Sequence, residues 1–402
     1  MHGTIPRPEV RRLLLSLLAD GPGPGPERLR CLSSGVWDAL DDLAGEHRIR
    51  PLLHHRRQGE PLAPEHLRAR WKAAHREAGI TAVTQRADLL STVRLLRGAG
   101  IEPLAMKGAW LAWHAYPQPA LRPMRDLDLL VAPDRFVEAV RLLLAGGYHW
   151  AEEPDLGLED IVRFDKSPPP LIAPRGTGIE LHLRAWFPSG RLEYPSPEPD
   201  DAGMFARSRI CRDGVRHPGA GDMLAHLVIH ALYSHRLDCG PLLLTDIAAL
   251  VERDEIDWPA FWERARREDW RDAARLVLDL VLAWQPATPI DFAPDTGPRS
   301  PDAVLRSAPD LLLQDLEGRY SAGFAAAALT GGMSALWRRL RRRVTVAGTA
   351  EGIARQTGPE ESYASWATTR LKRTVSDLFR PEIRRQARDM ARLNRWLSKG
   401  CE

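Results

Sequence analysis

Apolar residues recur every third or fourth position through "PEVRRLLLSLLAD", residues 8–20, and this spacing predicts an amphipathic helix. The alternating Gly and Pro of "GPGPGP", residues 21–26, permit neither helix nor sheet and stop it. The helical pattern resumes in "SSGVWDALDDLAGEHRI", where Ser34 is the expected N-cap, and again from about Pro64 to Arg97. "LLRGAGI" ends that longer helix, with Gly98 or Gly100 suited to the left-handed position that closes a helix. The first hundred residues therefore read as helical.

The period changes at residue 101. "IEPLA" is a short strand, "MKGAWLAWHAY" a turn and short helix, and "DLDLLV" a second strand. "APDRFVEAVRLLLAGGY" returns to helical spacing, with Pro133 near its first turn and Gly146-Gly147 at its end. In "GIELHLRAW", Ile179, Leu181 and Leu183 face one way while Glu180, His182 and Arg184 face the other. A β–α–β–α–β order over residues 101–186 implies a small α/β core. From about residue 220 the packed-helix spacing returns in "GDMLAHLVIHALYSH", "LLLTDIAALVERD", "WPAFWERARRED" and "WRDAARLVLDLVLAW". A Pro-rich stretch, 286–309, precedes a basic helical end carrying "WRRLRRRV" and "RPEIRRQARDMARLNRW".

These patterns divide the chain into an N-terminal helical region, 1–100, and an α/β core, 101–190. A C-terminal helical region, 191–290, would close a cleft over that core, and 291–402 would be linker and basic tail. The fold class is α+β, a small mixed sheet flanked by helices. Composition changes this picture little. Hydrophobic residues at 44% and charged residues at 27% are ordinary for a globular protein, and a net charge of +3 is too small to argue for nucleic acid by itself. Four scattered cysteines form no Cys-x-x-Cys pair, which disfavours a disulfide framework or zinc knuckle. No apolar run approaches the ~20 residues of a membrane helix, and the start of the chain lacks a signal-peptide layout. The expected location is the cytoplasm.

The chemistry lies in "LRPMRDLDLLVAP", residues 121–133. Asp126 and Asp128 open an otherwise apolar strand on one face, about 7 Å apart along it. Held that close, two carboxylates raise each other's pKa unless a cation compensates them. Either they are solvated at a strand end or they hold metal. With 53 acidic residues in 402, about seven acid-x-acid pairs arise by chance, so the spacing alone is weak. Its context is stronger: an Arg-bearing loop with Arg122 and Arg125, a glycine turn at Lys107-Gly108, and a second strand bearing Glu180. Three carboxylates on neighbouring strands can hold two Mg²⁺ ions, one activating an attacking hydroxyl and the other a pyrophosphate leaving group. Backbone near Gly108 could cradle a triphosphate, with Lys107 and Arg122 offsetting its charge.

"MKGAWLAWHAYPQPALRPMRDLDLLV" followed by "IELHLR" resembles the nucleotidyltransferase superfamily of DNA polymerase β and kanamycin nucleotidyltransferase. More narrowly it resembles that superfamily's poorly characterised bacterial branch. Lys107, Gly108, Tyr116, Arg122, Asp126, Asp128, Glu180 and His182 match the branch's pattern. "EHRIRPLLHHRRQ", "HLVIHALYSHRL", "LTDIAALV" and "IDWPAFWERA" look like its helical flanks, so the likeness covers about residues 10–285. It implies transfer of a nucleoside monophosphate from an NTP, with ATP the expected donor, to a hydroxyl acceptor. Asp126, Asp128 and Glu180 would then be catalytic and bind Mg²⁺, while Lys107, Gly108 and Arg122 bind the nucleotide. Two departures stand out. The wider superfamily has Gly-Ser where this chain has Lys107-Gly108, and the third acid is Glu180 rather than Asp.

Other readings stand beside these. The fold could be a non-catalytic nucleotide-binding or antitoxin-like module with a degenerate site. Arg122 could form a plain salt bridge to Asp126 or Asp128, and His182 could support the site by hydrogen bonding. His226 and His230, at i and i+4, have metal-binding spacing but also suit helix packing through hydrogen bonds to Asp246. The stripe at Arg338–Arg343 is either a solvated face or a surface for RNA or a protein partner.

Overall fold

The computed structural model describes residues 7–20, 23–57, 62–154, 157–188, 196–314, 321–327, 329–330, 376 and 380–399. The chain divides into two compact units: Met1–His235 with Cys239–Ser300, and Arg236–Asp238 with Pro301–Glu402. The protein is α+β, a seven-stranded mixed sheet with helical flanks.

In the first unit, α1 (Arg7–Leu18), α2 (Pro26–Arg30), α3 (Ser34–Glu46), α4 (Arg50–Arg57) and α5 (Glu65–Gly98) precede the sheet. The N-cap of α3 is Ser33 rather than Ser34, a one-residue shift of the kind helix ends tolerate. The 34-residue α5 buries Leu89, Val93 and Leu96, a 3–4 spacing that turns one stripe inward. It stops where Gly100 adopts φ +72°, a conformation costly to any residue with a Cβ.

The sheet order is β3-β4-β5-β2-β1-β7-β6. Its centre is β1 (Leu104–Ala105), β2 (Asp126–Leu130) and β5 (Gly178–His182), with β2 antiparallel to β1 and parallel to β5. On one side the short strands β3 (His149–Trp150) and β4 (Leu171–Ile172) extend it; on the other stand β6 (Arg209–Ile210) and β7 (Arg216–His217). Leu127, Leu129, Ile179 and Leu181 are fully buried, which anchors β2 and β5 and fixes their register. Between the strands run α6 (Gly108–His114), α7 (Phe136–Ala145), preceded by a 3-10 turn at Pro133–Arg135, and α8 (Leu158–Phe164).

Helices α9 (Asp201–Ala206), α10 (Ala220–Ile229), α11 (Leu242–Arg253), α12 (Trp258–Arg267) and α13 (Arg271–Trp284) complete this unit. The β6–β7 hairpin joins the sheet from within the region whose pattern reads as helical. Helix α10 runs on into a π-helical turn, His230–Ser234, a local widening that recurs at functional sites. In the second unit, α14 (Asp302–Leu312) packs against α15 (Pro381–Lys399), burying Leu311, Leu312, Ile383 and Leu393. Arg384, Arg385, Arg388 and Arg395 of α15 are exposed, a solvated basic face. The Arg338–Arg343 stripe lies outside the described residues. No helix among the described residues is long and apolar enough to cross a membrane.

Candidate active site

Parallel pairing sets Asp126 beside Gly178 and Asp128 beside Glu180. Side chains alternate along a strand, so Asp126, Asp128, Glu180 and His182 share one face while the leucines between them enter the core. Gly178 leaves the space beside Asp126 without a side chain. A carboxylate oxygen of Asp128, one of Glu180 and a ring nitrogen of His182 lie within 4.8 Å of one another, close enough to hold a metal ion.

Cations approach from two neighbouring segments. Lys107 Nζ donates to Asp128 Oδ1 at 2.7 Å, and His182 Nε2 lies 2.9 Å from the same oxygen. Glu180 Oε1 accepts from Lys166 Nζ and Ser167 Oγ, each at 3.0 Å, and lies 3.4 Å from His182 Nε2. The Asp126 carboxylate makes neither a hydrogen bond nor an ion pair with the described residues. An ionised Asp128 can only accept, so His182 carries its proton on Nε2, which leaves a buried Nδ1 without a partner.

The acids are driven apart in pKa. Burial, then the charges of Asp128 and Glu180, push Asp126 up to about 6. Asp128 pays the same burial penalty, but the Lys107 ammonium and the His182 hydrogen bond outweigh it and hold Asp128 well below the usual range. Burial likewise opposes ionisation of Glu180, yet His182 and Lys166 bring it below its ordinary value. Lys107 is raised: burial disfavours its charge, and Asp128 and Glu180 more than restore it. Adjacent carboxylates with divergent pKa values are a mark of a chemical site.

The β1–α6 turn delivers Lys107. Met106 N–H donates to Asp128 C=O at 3.0 Å, tying the turn to β2 beside the acid. Lys107 itself sits at φ +45°, ψ −127°, a backbone region that costs a residue with a Cβ of order 1–3 kcal/mol. A Cβ at Gly108 would lie 2.7 Å from Arg122 Nη1 and 2.9 Å from Met124 Cγ, so either side chain would have to shift to admit one.

Arg122 is held by a partner far along the chain, Asp246 of α11, and not by Asp126 or Asp128. Its Nε donates to Asp246 Oδ1 at 3.1 Å and its Nη2 to Oδ2 at 2.8 Å, a bidentate fork. Tyr116 O–H also donates to Asp246 Oδ1, at 2.7 Å, and lies 2.9 Å from Thr245 Oγ1. Asp246 is therefore occupied by Tyr116 and Arg122 rather than by histidine. Both ring nitrogens of His226 are buried without partners. His226 stacks on His230 at 5.6 Å between centroids, and His230 meets His235 at 4.3 Å. Burial, reinforced by the charge of Lys107, holds His226 and His230 well below the usual imidazole pKa. His226 also feels Asp128, His182 and Lys166, so the histidine row lies near the acidic face.

Sequence reading missed Lys166 and Ser167, whose "DKSPPP" segment carries no periodic signal, and Asp246 as the partner of Arg122. The fold presents an oxygen-rich face on adjacent central strands, reached by a glycine turn from the preceding strand. The chain matches a family described as an uncharacterised nucleotidyltransferase over residues 33–286, and it belongs to that family. No curated relative and no solved structure matches the chain.

Proposed function

We propose that this protein is a Mg²⁺-dependent nucleotidyltransferase that moves a nucleoside monophosphate from an NTP, ATP being the expected donor, to a hydroxyl acceptor. The observation that carries the reading is the register of β2 with β5, which sets Asp128 beside Glu180 and leaves Asp126 two residues along the same face. The donor set fits the metal: hard carboxylate oxygens share one sheet face, and one each from Asp128 and Glu180 lie within 4.8 Å of each other and of a His182 ring nitrogen. Asp126, Asp128 and Glu180 would hold the ions, which supply Lewis-acid activation of the hydroxyl and charge neutralisation on the pyrophosphate.

The chain's own groups then have distinct work. Without metal, Asp126 has its pKa raised to about 6 and its carboxylate has no partner, so it is the carboxyl most in need of a cation. Lys107 presents its ammonium from the strained turn to the triphosphate oxygens, and Gly108 keeps that approach open. Arg122, through Asp246, holds its loop against α11. His182 orients Asp128, and His226 lines the acceptor side.

A second reading has its own support. Lys107 on Asp128 and Lys166 on Glu180 neutralise two of the three acids without metal, as a nucleotide-binding or antitoxin-like module with a degenerate site would require. The acceptor, whether small molecule, peptide, protein or RNA, is read by parts of the chain other than the acidic face, and the basic tail is the surface for a macromolecule. Incubation with labelled NTPs and cell extract tests both readings. Wild type transfers label to an acceptor and Asp126→Ala/Asp128→Ala does not; equal labelling by the two removes the catalytic assignment.

A further inference from the structure

A second group of ligating side chains lies away from the acidic face. The β6–β7 hairpin turn carries Cys211 and Asp213, and the C-terminal end of α6 carries His114. A ring nitrogen of His114, Cys211 Sγ and a carboxylate oxygen of Asp213 all lie within 4.8 Å of one another. The geometry points to a transition-metal site of the Zn²⁺ class formed by His114, Cys211 and Asp213, with water in the fourth position.

The donor set selects the metal. Thiolate, imidazole and carboxylate together suit Zn²⁺ and its Co²⁺ surrogate, whereas Mg²⁺ and Ca²⁺ avoid sulfur. Tetrahedral coordination with bonds of 2.0–2.3 Å puts ligand atoms roughly 3.3–3.8 Å apart, within side-chain adjustment of the present spacing. His114 Nε2 is buried without a hydrogen-bond partner, 3.3 Å from Asp213 Oδ2. That is a ring nitrogen held ready toward the cluster and satisfied by nothing else in it.

Outer contacts orient each ligand, as metal sites require. Trp110 Nε1 donates to Cys211 Sγ at 3.2 Å, which orients the sulfur. The Trp110 ring stacks on His114 at 5.6 Å and on His217 at 4.4 Å, fixing the imidazole. Asp213 Oδ1 accepts from Val215 N–H at 2.9 Å, and Oδ2 accepts from Arg86 Nη2, which leaves lone pairs for a metal. Arg86 adds a positive charge beside Asp213, but thiolate and carboxylate together carry two negative ones. Bound metal would clip the hairpin turn to the end of α6 opposite Lys107. It would thus support the turn that reaches Asp128 without entering the acidic site.

Chelator-treated full-length protein titrated with Co²⁺ tests the site, because a thiolate-to-cobalt charge-transfer band reports cysteine ligation and the acidic face contains no sulfur. Wild type is expected to develop the band with an equimolar amount of Co²⁺, and Zn²⁺ should displace it and raise the melting temperature. Cys211→Ser should abolish the band, and His114→Ala should weaken Co²⁺ binding at least tenfold. Asp128→Asn, which alters only the acidic face, should keep the band. Circular dichroism of each metal-free variant establishes that it folds. Absence of the band in wild type, or its persistence in Cys211→Ser, overturns the assignment.

Discussion

Two buried charge clusters, which adjoin in sequence only where Arg122 precedes Asp126, behave as opposites. Around Asp246, one carboxylate meets one guanidinium through both oxygens and accepts a further hydrogen bond from Tyr116. Around Asp128, three carboxylates, two lysines and a histidine crowd one sheet face; Asp126 has no partner and His182 keeps an unpaired nitrogen. The first arrangement is closed and holds the fold together. The second is incompletely matched and can respond to a ligand. Presence of charge does not separate structure from site; completeness of pairing does.

Removing Arg122 gives the largest effect on stability. Arg122→Ala strands Asp246, whose side chain is 3% exposed, so destabilisation of about 3–5 kcal/mol is expected in urea unfolding. Nucleotide binding should fall only as far as the folded fraction does. A loss of binding in a fully folded Arg122→Ala protein would instead move Arg122 into the site.

Gly108→Ala tests the joint between the clusters, since its methyl must displace Arg122 or Met124. The expected cost is about 1–3 kcal/mol by overpacking, with nucleotide affinity reduced through the shifted Lys107. A neutral outcome would show that the turn has room to spare.

Asp126 gives an effect of similar size and opposite sign. Its folded pKa of about 6 lies above the unfolded-chain value of 3.8, so its stabilising contribution is complete below the lower figure and is lost as pH rises through the higher one. Metal-free wild type should therefore lose stability relative to Asp126→Asn between about pH 4 and 7. The gap should reach roughly 1–3 kcal/mol once solvent screening is allowed for. Thermal melts of the pair across that range, with and without Mg²⁺, read the difference, and Mg²⁺ should rescue wild type only. Melting curves that run parallel with pH would show Asp126 to be an ordinary solvated carboxylate.

Much of this was legible in the residues. Helix α5 follows from its apolar stripe and Gly100, and β2 and β5 from alternation that puts leucines on one face and acids on the other. That alternation also dictates that Asp126 and Asp128 share a side, and the strand pairing then adds Glu180. The two-residue strands β3, β4, β6 and β7 were not legible, since two positions show no period; β1, equally short, was legible only from the break in helical spacing at residue 101. Arg122 with Asp246 joins residues 124 apart in sequence, and local pattern says nothing about such pairs. Lys166 was hidden in the same way, in a proline-flanked loop whose destination only the fold reveals.

The central claim is that the acidic face holds the metal through which nucleotide binds. Isothermal titration of ATP into the wild-type protein, with Mg²⁺ and then with chelator, measures it most directly. The account predicts saturable binding that requires Mg²⁺ and vanishes in Asp126→Ala/Asp128→Ala. Binding of equal strength without the metal, or unchanged in that variant, contradicts it.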